Sequence, residues 1–206
     1  MVEDAVVERD ATRKAQRTPS ADVEASLVRA ADAVLRRDGL AGVTVRAVAA
    51  EAGVAPMGVY SRFGSKDGLL DVLLIRGFDG LRAAAAARGE ADPVERLRSC
   101  GVRYREYALA NRQYYEAMFV TAHARPASDE VAAHACAAFG ELVAHVEFGM
   151  AAGTVRAGEA TDIAQQIWSC VHGAVALELN GIVLTPDPEA TFLALLDTIT
   201  HGVAPD

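Results

Sequence analysis

The stretch TVRAVAAEAGVAPMGVYSRFGSKDGLL, Thr44 to Leu70, decides how this chain folds. Thr44 stands where a side-chain oxygen can cap a short helix, and the inward positions Val45, Val48, Ala49 and Ala52 follow the i, i+3, i+4, i+7 spacing up to a stop at Gly53. Only Gly53, Val54 and Ala55 separate it from a second helix, which opens with Pro56 at its first position and runs to about Phe63. Two short helices joined by a tight turn containing glycine make a helix-turn-helix pattern. Ser65 then caps a longer helix with Leu69, Leu70, Leu73, Leu74, Phe78 and Leu81 facing inward.

Upstream, Val23, Leu27, Ala30, Val34 and Leu35 recur at helical spacing in a helix that begins near Asp22 and stops at Gly39. Residues 1–19 lack an apolar stripe and read as a flexible arm ending at Pro19. Downstream, the helix after Ser65 is expected to run through the alanine tract Ala83 to Ala87 and to end at Gly89 and Pro93. Val94, Leu97, Gly101, Tyr104 and Ala108 mark a further helix, followed by one carrying Tyr114, Tyr115, Met118 and Phe119. After the polar break at TAHARPASDE, Ser128 with Asp129 and Glu130 starts a long helix lined by Val131, Ala135, Ala138, Phe139, Leu142, Val146 and Met150, closed by Gly153. Asp162 with Gln165 resembles a capping box, and Asp187 with Pro188 starts the last helix. No segment reads as a strand. The expected fold is all-α, with about nine helices divided into the arm (1–19), a helix-turn-helix domain (20–66) and a larger helical domain (67–206).

Composition agrees with this reading and bounds the function. The chain has 206 residues, 51% of them hydrophobic but only 6% aromatic, a balance that favours helix over sheet. Its formal charge of -8 argues against nucleic acid until the distribution is inspected: residues 12–66 hold nine Lys/Arg against five Asp/Glu, while the rest of the chain is acidic. A small polyanion-binding module on an acidic body would show such an asymmetry, and so would chance variation of the surface. Cys100, Cys136 and Cys170 are more than thirty residues apart and form no CxxC pair, which predicts neither a disulfide framework nor a metal site, and no cofactor motif is present. The acidic start MVEDAVVERD is unlike a secretory signal, and the apolar GAVALELNGIVL is too short to span a bilayer, so a cytoplasmic protein without membrane contact is expected.

The helix-turn-helix stretch has the chemistry of a surface that meets DNA. Gly58 and Ser61 allow close approach of the backbone, Arg62 can pair with guanine or a phosphate, Ser61 can bond either, and Pro56 or Met57 can touch a thymine methyl. Thr44, Tyr60 and Lys66 can bond phosphates and fix the register, with Arg46 a further basic candidate. A short helix pair with Val54, Val59 and Phe63 inside also occurs in proteins that never meet DNA, where Tyr60 would be a half-buried ring and Lys66 an ordinary surface lysine.

The series V-A-x-x-A-G-V, Y-x-x-F and S-K-x-x-L-L within Thr44 to Leu70 resembles the amino-terminal signature of the tetracycline-repressor (TetR) family of bacterial transcription regulators, over Val23 to about Leu74. The resemblance implies that the first helix braces the pair, the second and third form the helix-turn-helix, and the fourth leads to a ligand-binding, dimerising body. By it Thr44, Tyr60 and Lys66 take phosphate roles, and Pro56, Met57, Ser61 and Arg62 fall where base contacts are usual. Two departures stand out: Ala55 replaces the usual Ser cap, and Ser61 replaces a larger Tyr or His. The operator of a relative is therefore not transferable.

Trp168, His172 and Gly173 resemble the Trp-His-Gly cluster of one subgroup's ligand-binding domain. Trp168 and His172 share a helix face, with Cys170 and Val171 turned aside, and Ser169, Gly173 and Ala176 allow another helix to approach. Tyr104, Tyr107, Tyr115, Met118, Phe119, Phe139, Trp168 and His172 are candidates to line an apolar pocket for an unknown small-molecule effector; plain core packing is the competing reading. Homodimerisation through the last two helices, about 162–182 and 188–203, would supply two half-sites on palindromic double-stranded operator DNA about 34 Å apart. The resemblance implies repression relieved by ligand. An alternative is a helical dimer that holds DNA or a partner without a working sensor. An enzyme using His172 with Glu178 or Glu159 is disfavoured, since no nucleophile turn, phosphate loop or metal spacing accompanies them. His123, beside Arg125 and Pro126, reads as loop surface, and Arg13, Lys14 and Arg17 of the arm as a small aid to nonspecific affinity.

Overall fold

Nine α-helices and one π-helical turn account for the regular structure of the described residues, 20–121 and 126–205, of the computed structural model. They are α1 (Ser20–Gly42), α2 (Val45–Glu51), α3 (Pro56–Phe63), α4 (Lys66–Ala85), α5 (Pro93–Ala110), α6 (Arg112–Glu116), the π-helical turn Ala117–Thr121, α7 (Asp129–Ala151), α8 (Ala160–Leu179) and α9 (Pro188–Gly202). No strand occurs among the described residues, as an all-α fold requires. The arm and His123 with Arg125 lie outside them.

Local chemistry sets the ends of the first four helices. Gly39, at φ 67° and ψ -178°, breaks the helical path of α1, as its lack of a Cβ permits. Thr44 Oγ1 accepts from the Ala47 N–H at 3.1 Å to cap α2, and Ser65 Oγ accepts from the Gly68 N–H at 3.0 Å to cap α4. Between them Gly53 turns the chain at φ 67°. α3 begins at Ala55 with no side-chain cap, a deficit of about 1 kcal/mol that Pro56 offsets by pre-setting the first helical φ. Val59 is the one fully buried residue of α3 and pins it to α2 and α4; Val54, expected inside, is exposed.

Two apolar cores share α4. Leu27, Val34, Val48, Val59, Leu69 and Leu73 form the first, which continues into Tyr114 and Met118. Leu81 joins the second with Leu97, Tyr104, Val146, Ile163, Val171, Phe192 and Leu196. The amino-terminal half of α4 thus belongs to the helix-turn-helix core and its carboxy-terminal half to the larger domain.

Several boundaries differ from the sequence reading. α4 stops at Ala85 rather than at Gly89, and Ala87 takes the positive φ of 39° that glycine usually supplies. Pro93 does not end a helix but starts α5, behind Asp92, whose Oδ1 accepts from the N–H groups of Val94 and Glu95. Asp162 and Gln165 form no capping box: α8 begins at Ala160, and the Gln165 side chain donates to Ser169 Oγ instead. α8 also ends at Leu179, before Ile182, with Gly181 at φ 69° closing it.

The early end of α4 has a polar cause absent from any periodicity. His145 of α7 donates from Nε2 to the Ala85 carbonyl at 3.0 Å, satisfying a terminal acceptor inside the bundle. Glu141, one turn earlier and buried, accepts from Arg82 Nε at 3.1 Å and from Arg88 at 2.9 Å, tying α7 to both sides of that end. Burial works to raise the Glu141 carboxyl, but the two guanidinium groups outweigh it and hold the acid below its ordinary 4.5. This stabilisation is present above pH 4.5 and is lost as pH falls through the lower native value. Because both arginines are half exposed or more, Glu141→Gln should cost only about 1–2 kcal/mol at pH 7. Urea unfolding of the two proteins should show that gap narrowing as pH drops below 4.5; a constant gap would assign the loss to packing instead.

Candidate functional site

The outer face of α2, α3 and the start of α4 collects the residues singled out in the sequence. Thr44, Arg46, Pro56, Met57, Tyr60, Ser61 and Lys66 are all exposed, and Gly58 and Arg62 half so. Met57 at 72% and Tyr60 at 47% exposure are large apolar bodies turned away from a core within reach. Thr44 uses only an oxygen lone pair as a cap, so its O–H remains a donor; Ser61 donates to the Gly58 carbonyl at 3.0 Å.

Charge pairing divides the basic residues of this module into two sets. Arg36 and Arg37 are neutralised by Asp32, Asp38 and Glu51 at 2.8–3.0 Å. Arg29 of α1, and Arg46, Arg62 and Lys66 on the outer face, have no acidic partner among the described residues. Lys66 moreover sits at the first position of α4, the positive end of the helix dipole, where a cation is disfavoured unless an anion joins it. Gly58 is equally costly to the isolated fold. A Cβ there would meet only Val54 Cγ2 at 3.6 Å and Cβ at 3.8 Å, ordinary contacts, so packing within the chain does not demand glycine.

Inside the larger domain a cavity of about 320 Å³ lies between α4, α5, the π-helical turn, α7, α8 and α9. Of the eight residues proposed for a ligand, Tyr104, Met118, Phe119, Phe139 and Trp168 are brought together on its wall. Phe119 and Phe139 stand 6.1 and 6.0 Å from the Trp168 ring, in tilted and edge-on arrangements. Val171, expected to turn aside, also faces the cavity.

Tyr107, Tyr115 and His172 are not on this wall. Tyr107 donates to the Gly77 carbonyl at 2.7 Å and borders a separate cleft with Arg36, Arg76 and Asn111; burial pushes its hydroxyl up to about 12. His172 lies behind the wall, where Nδ1 accepts from the Tyr104 hydroxyl at 2.8 Å and the Tyr115 hydroxyl stands 3.1 Å away. Burial lowers the His172 pKa and so keeps the ring neutral, as an acceptor of the Tyr104 hydroxyl should be. Glu178 does not reach it: both its oxygens take hydrogen bonds from Arg105 at 2.7 Å, so the acid–base pair considered from sequence is not assembled.

Sequence reasoning missed the α5 and α9 side of the cavity, where Arg98, Cys100, Gly101, Leu196, Ile199 and Thr200 complete the wall with Gln165 of α8. Gly101 carried a signal as a glycine inside a helical pattern; in the fold a Cβ there would come within 2.5 Å of Leu196 Cδ2. Cys100 is no nucleophile, because burial first and Glu141 second push its thiol up to about 12.

The cavity is linked to the helix-turn-helix through α6. Met118 and Phe119 follow α6 directly, and Tyr114 within it donates to Asp32 Oδ1 of α1 at 2.6 Å. Burial works to raise the Asp32 carboxyl, but the Tyr114 and Arg36 hydrogen bonds hold it below its ordinary value. Arg36 also reaches Asn111 Oδ1 at 3.3 Å, at the start of α6.

Residues 27–73 match the family model described as bacterial regulatory proteins, tetR family, and residues 97–199, half of the chain, match that of the tetracyclin repressor-like C-terminal domain. No curated protein matches the chain. Among solved structures, a protein of unknown function from Rhodococcus sp. RHA1 is similar at 28% identity and a TM-score of 0.83, over 93% of this chain and 100% of that one. The TetR family transcriptional regulator PfmR from Thermus thermophilus shares the fold at 23% identity and a TM-score of 0.63, over 87% and 99%. A regulatory protein of the tetR family from Rhodococcus RHA1 does so at 20% and 0.67, over 89% and 98%.

If Gly58 is kept for a surface outside the chain, Gly58→Ala should stabilise the isolated protein by about 0.5–1 kcal/mol in urea unfolding. The same variant should bind duplex DNA less tightly. Destabilisation would mean that the fold itself requires the glycine.

Proposed function

Because this chain belongs to the tetR family of bacterial transcription regulators, we propose that it is a homodimeric repressor of palindromic operator DNA, released by a small, mostly apolar ligand. The observation that carries the DNA reading is the set of cations without acidic partners, Arg46, Arg62 and Lys66, around the exposed Met57 and Tyr60. Arg62, Ser61, Met57 and Pro56 take base edges, and Thr44, Tyr60 and Lys66 take phosphates on either side. Gly58 admits the backbone close to the duplex.

A single helix-turn-helix covers too little DNA for tight specific binding, so two are needed. The outward face of α8 supports the seam. Ser169 and Gly173 are exposed there, a Cβ on Gly173 would meet nothing, and Leu177 at 50% exposure continues the same face. A cavity of about 320 Å³ falls at the lower end of the roughly 300–1,000 Å³ range of small-molecule sites, which favours a working sensor over a helical dimer without one. A ligand that spreads Met118 and Phe119 would shift α6, and through Tyr114 and Asp32 the first helix; only its difference in affinity between the two states weakens DNA binding. No helix among the described residues is long and apolar enough to cross a membrane, and a cytoplasmic location is part of the proposal.

The test begins with selection of a site from random duplex DNA, followed by affinity across salt. A double variant, Tyr60→Phe with Lys66→Ala, should bind every sequence more weakly and flatten the log–log salt slope by about 0.9 for each lost Lys66 charge, close to two per dimer, the neutral Tyr60 contact lowering affinity without changing the slope. An unchanged slope would reject the phosphate assignments.

A further inference from the structure

The wall of the cavity carries one charged side chain among the described residues, Arg98. Its Nε donates to Asp197 Oδ1 of α9 at 3.0 Å, so it is not an isolated charge; Arg98 is the more buried member of the pair, and the Asp197 side chain, 56% exposed, stands largely in solvent. The buried acid nearby, Glu141, already accepts from Arg82 and Arg88 and is not on the wall. The remaining polar groups are neutral. The Tyr104 hydroxyl is engaged by His172, Gln165 Nε2 donates to Ser169 Oγ and Thr200 Oγ1 donates to the Asp197 carbonyl at 2.9 Å, which leaves the Gln165 amide oxygen and the Thr200 hydroxyl oxygen as acceptors for a guest hydroxyl. No buried side-chain nitrogen or oxygen among the described residues lacks a partner, so nothing calls for a ligand of either charge.

We propose that the cavity accepts uncharged, largely apolar molecules and rejects carboxylates and ammonium ions, and that Asp197 sets this selectivity by occupying the Arg98 guanidinium. The inference rests on the reading of this cavity as the effector site. A carboxylate entering beside Arg98 would meet the Asp197 charge as well, and an ammonium ion would find no acid free to receive it. Either ion would give up much of its water for a pair that is already neutral overall. A neutral guest loses only the water around its apolar body and keeps one hydroxyl for Gln165 or Thr200, while its ring packs against Trp168.

Trp168 is the single tryptophan of the chain and lies on the wall, so its emission reports occupancy directly. Three probes of one shape separate charge from size: 4-phenylbutan-1-ol, 4-phenylbutyrate and 4-phenylbutylammonium, titrated against the full chain near pH 7. The alcohol should bind about tenfold or more tightly than either ion. Asp197→Asn, which frees the guanidinium, should tighten 4-phenylbutyrate at least threefold, leave the alcohol within about twofold, and weaken the ammonium probe if it changes it at all. Arg98→Gln should keep alcohol binding and abolish the gain when combined with Asp197→Asn. Equal or tighter binding of an ion by the parent protein would overturn the charge selectivity while leaving the sensor reading intact. A parent-like preference in Asp197→Asn would overturn the role of Asp197. No response to any of the three, from protein that still binds its selected operator, would overturn both the selectivity and the cavity as effector site.

Discussion

The structure depends on one helix being buried at both of its ends by different partners. α4 gives Leu69 and Leu73 to the core that holds α1, α2 and α3, and Leu81 to the core that holds α5, α7, α8 and α9. A rigid helix of 20 residues cannot tilt at one end without moving the other. The helix-turn-helix and the cavity are therefore parts of one mechanical unit. The contacts that keep α4 in place are polar as well as apolar: His145 and Glu141 of α7 secure its carboxy-terminal end, while Ser65 caps its start. α6 adds a second connection, since Tyr114 bonds Asp32 of α1 while the next turn supplies Met118 and Phe119 to the cavity.

Charge is managed differently at the two ends of this unit. On the helix-turn-helix Arg36 and Arg37 are paired with nearby acids, while three cations without acids, Arg46, Arg62 and Lys66, stand on the outer face of α2, α3 and the start of α4. In the larger domain the four arginines Arg82, Arg88, Arg98 and Arg105 are each matched by Glu141, Asp197 or Glu178. An unpaired charge costs little where water or a phosphate can reach it, and a great deal beside an apolar cavity. The same physical rule lets cations stand free on an exposed face and pairs those that border the apolar interior.

The residues that were legible in the sequence act over one or two turns of chain. Thr44, Gly53, Pro56 and Ser65 bound their helices through hydrogen bonds or dihedral limits that involve neighbours within three residues, and the apolar spacing of α1, α4 and α7 identified inward faces correctly. Local signals failed where a distant group supplied the deciding partner. Gly89 looks like a helix stop, yet α4 ends earlier because His145, sixty residues away, takes the Ala85 carbonyl. Asp162 looks like a cap, yet α8 had already begun.

The candidate site divides along the same line. The amino-acid sequence by itself determined the all-α fold, the helix-turn-helix and the face it exposes, since periodicity and capping are properties of contiguous residues. Which aromatic residues line the cavity was decided only in three dimensions. A helix wheel says that Tyr104, Tyr107, Tyr115 and His172 point inward, but not which neighbouring helix each will meet; in the folded chain Tyr107 turns to Gly77, and Tyr115 and His172 stand behind the wall. The Arg98–Asp197 pair joins residues of α5 and α9 that no sequence spacing relates, because a salt bridge depends on distance through space and not along the chain.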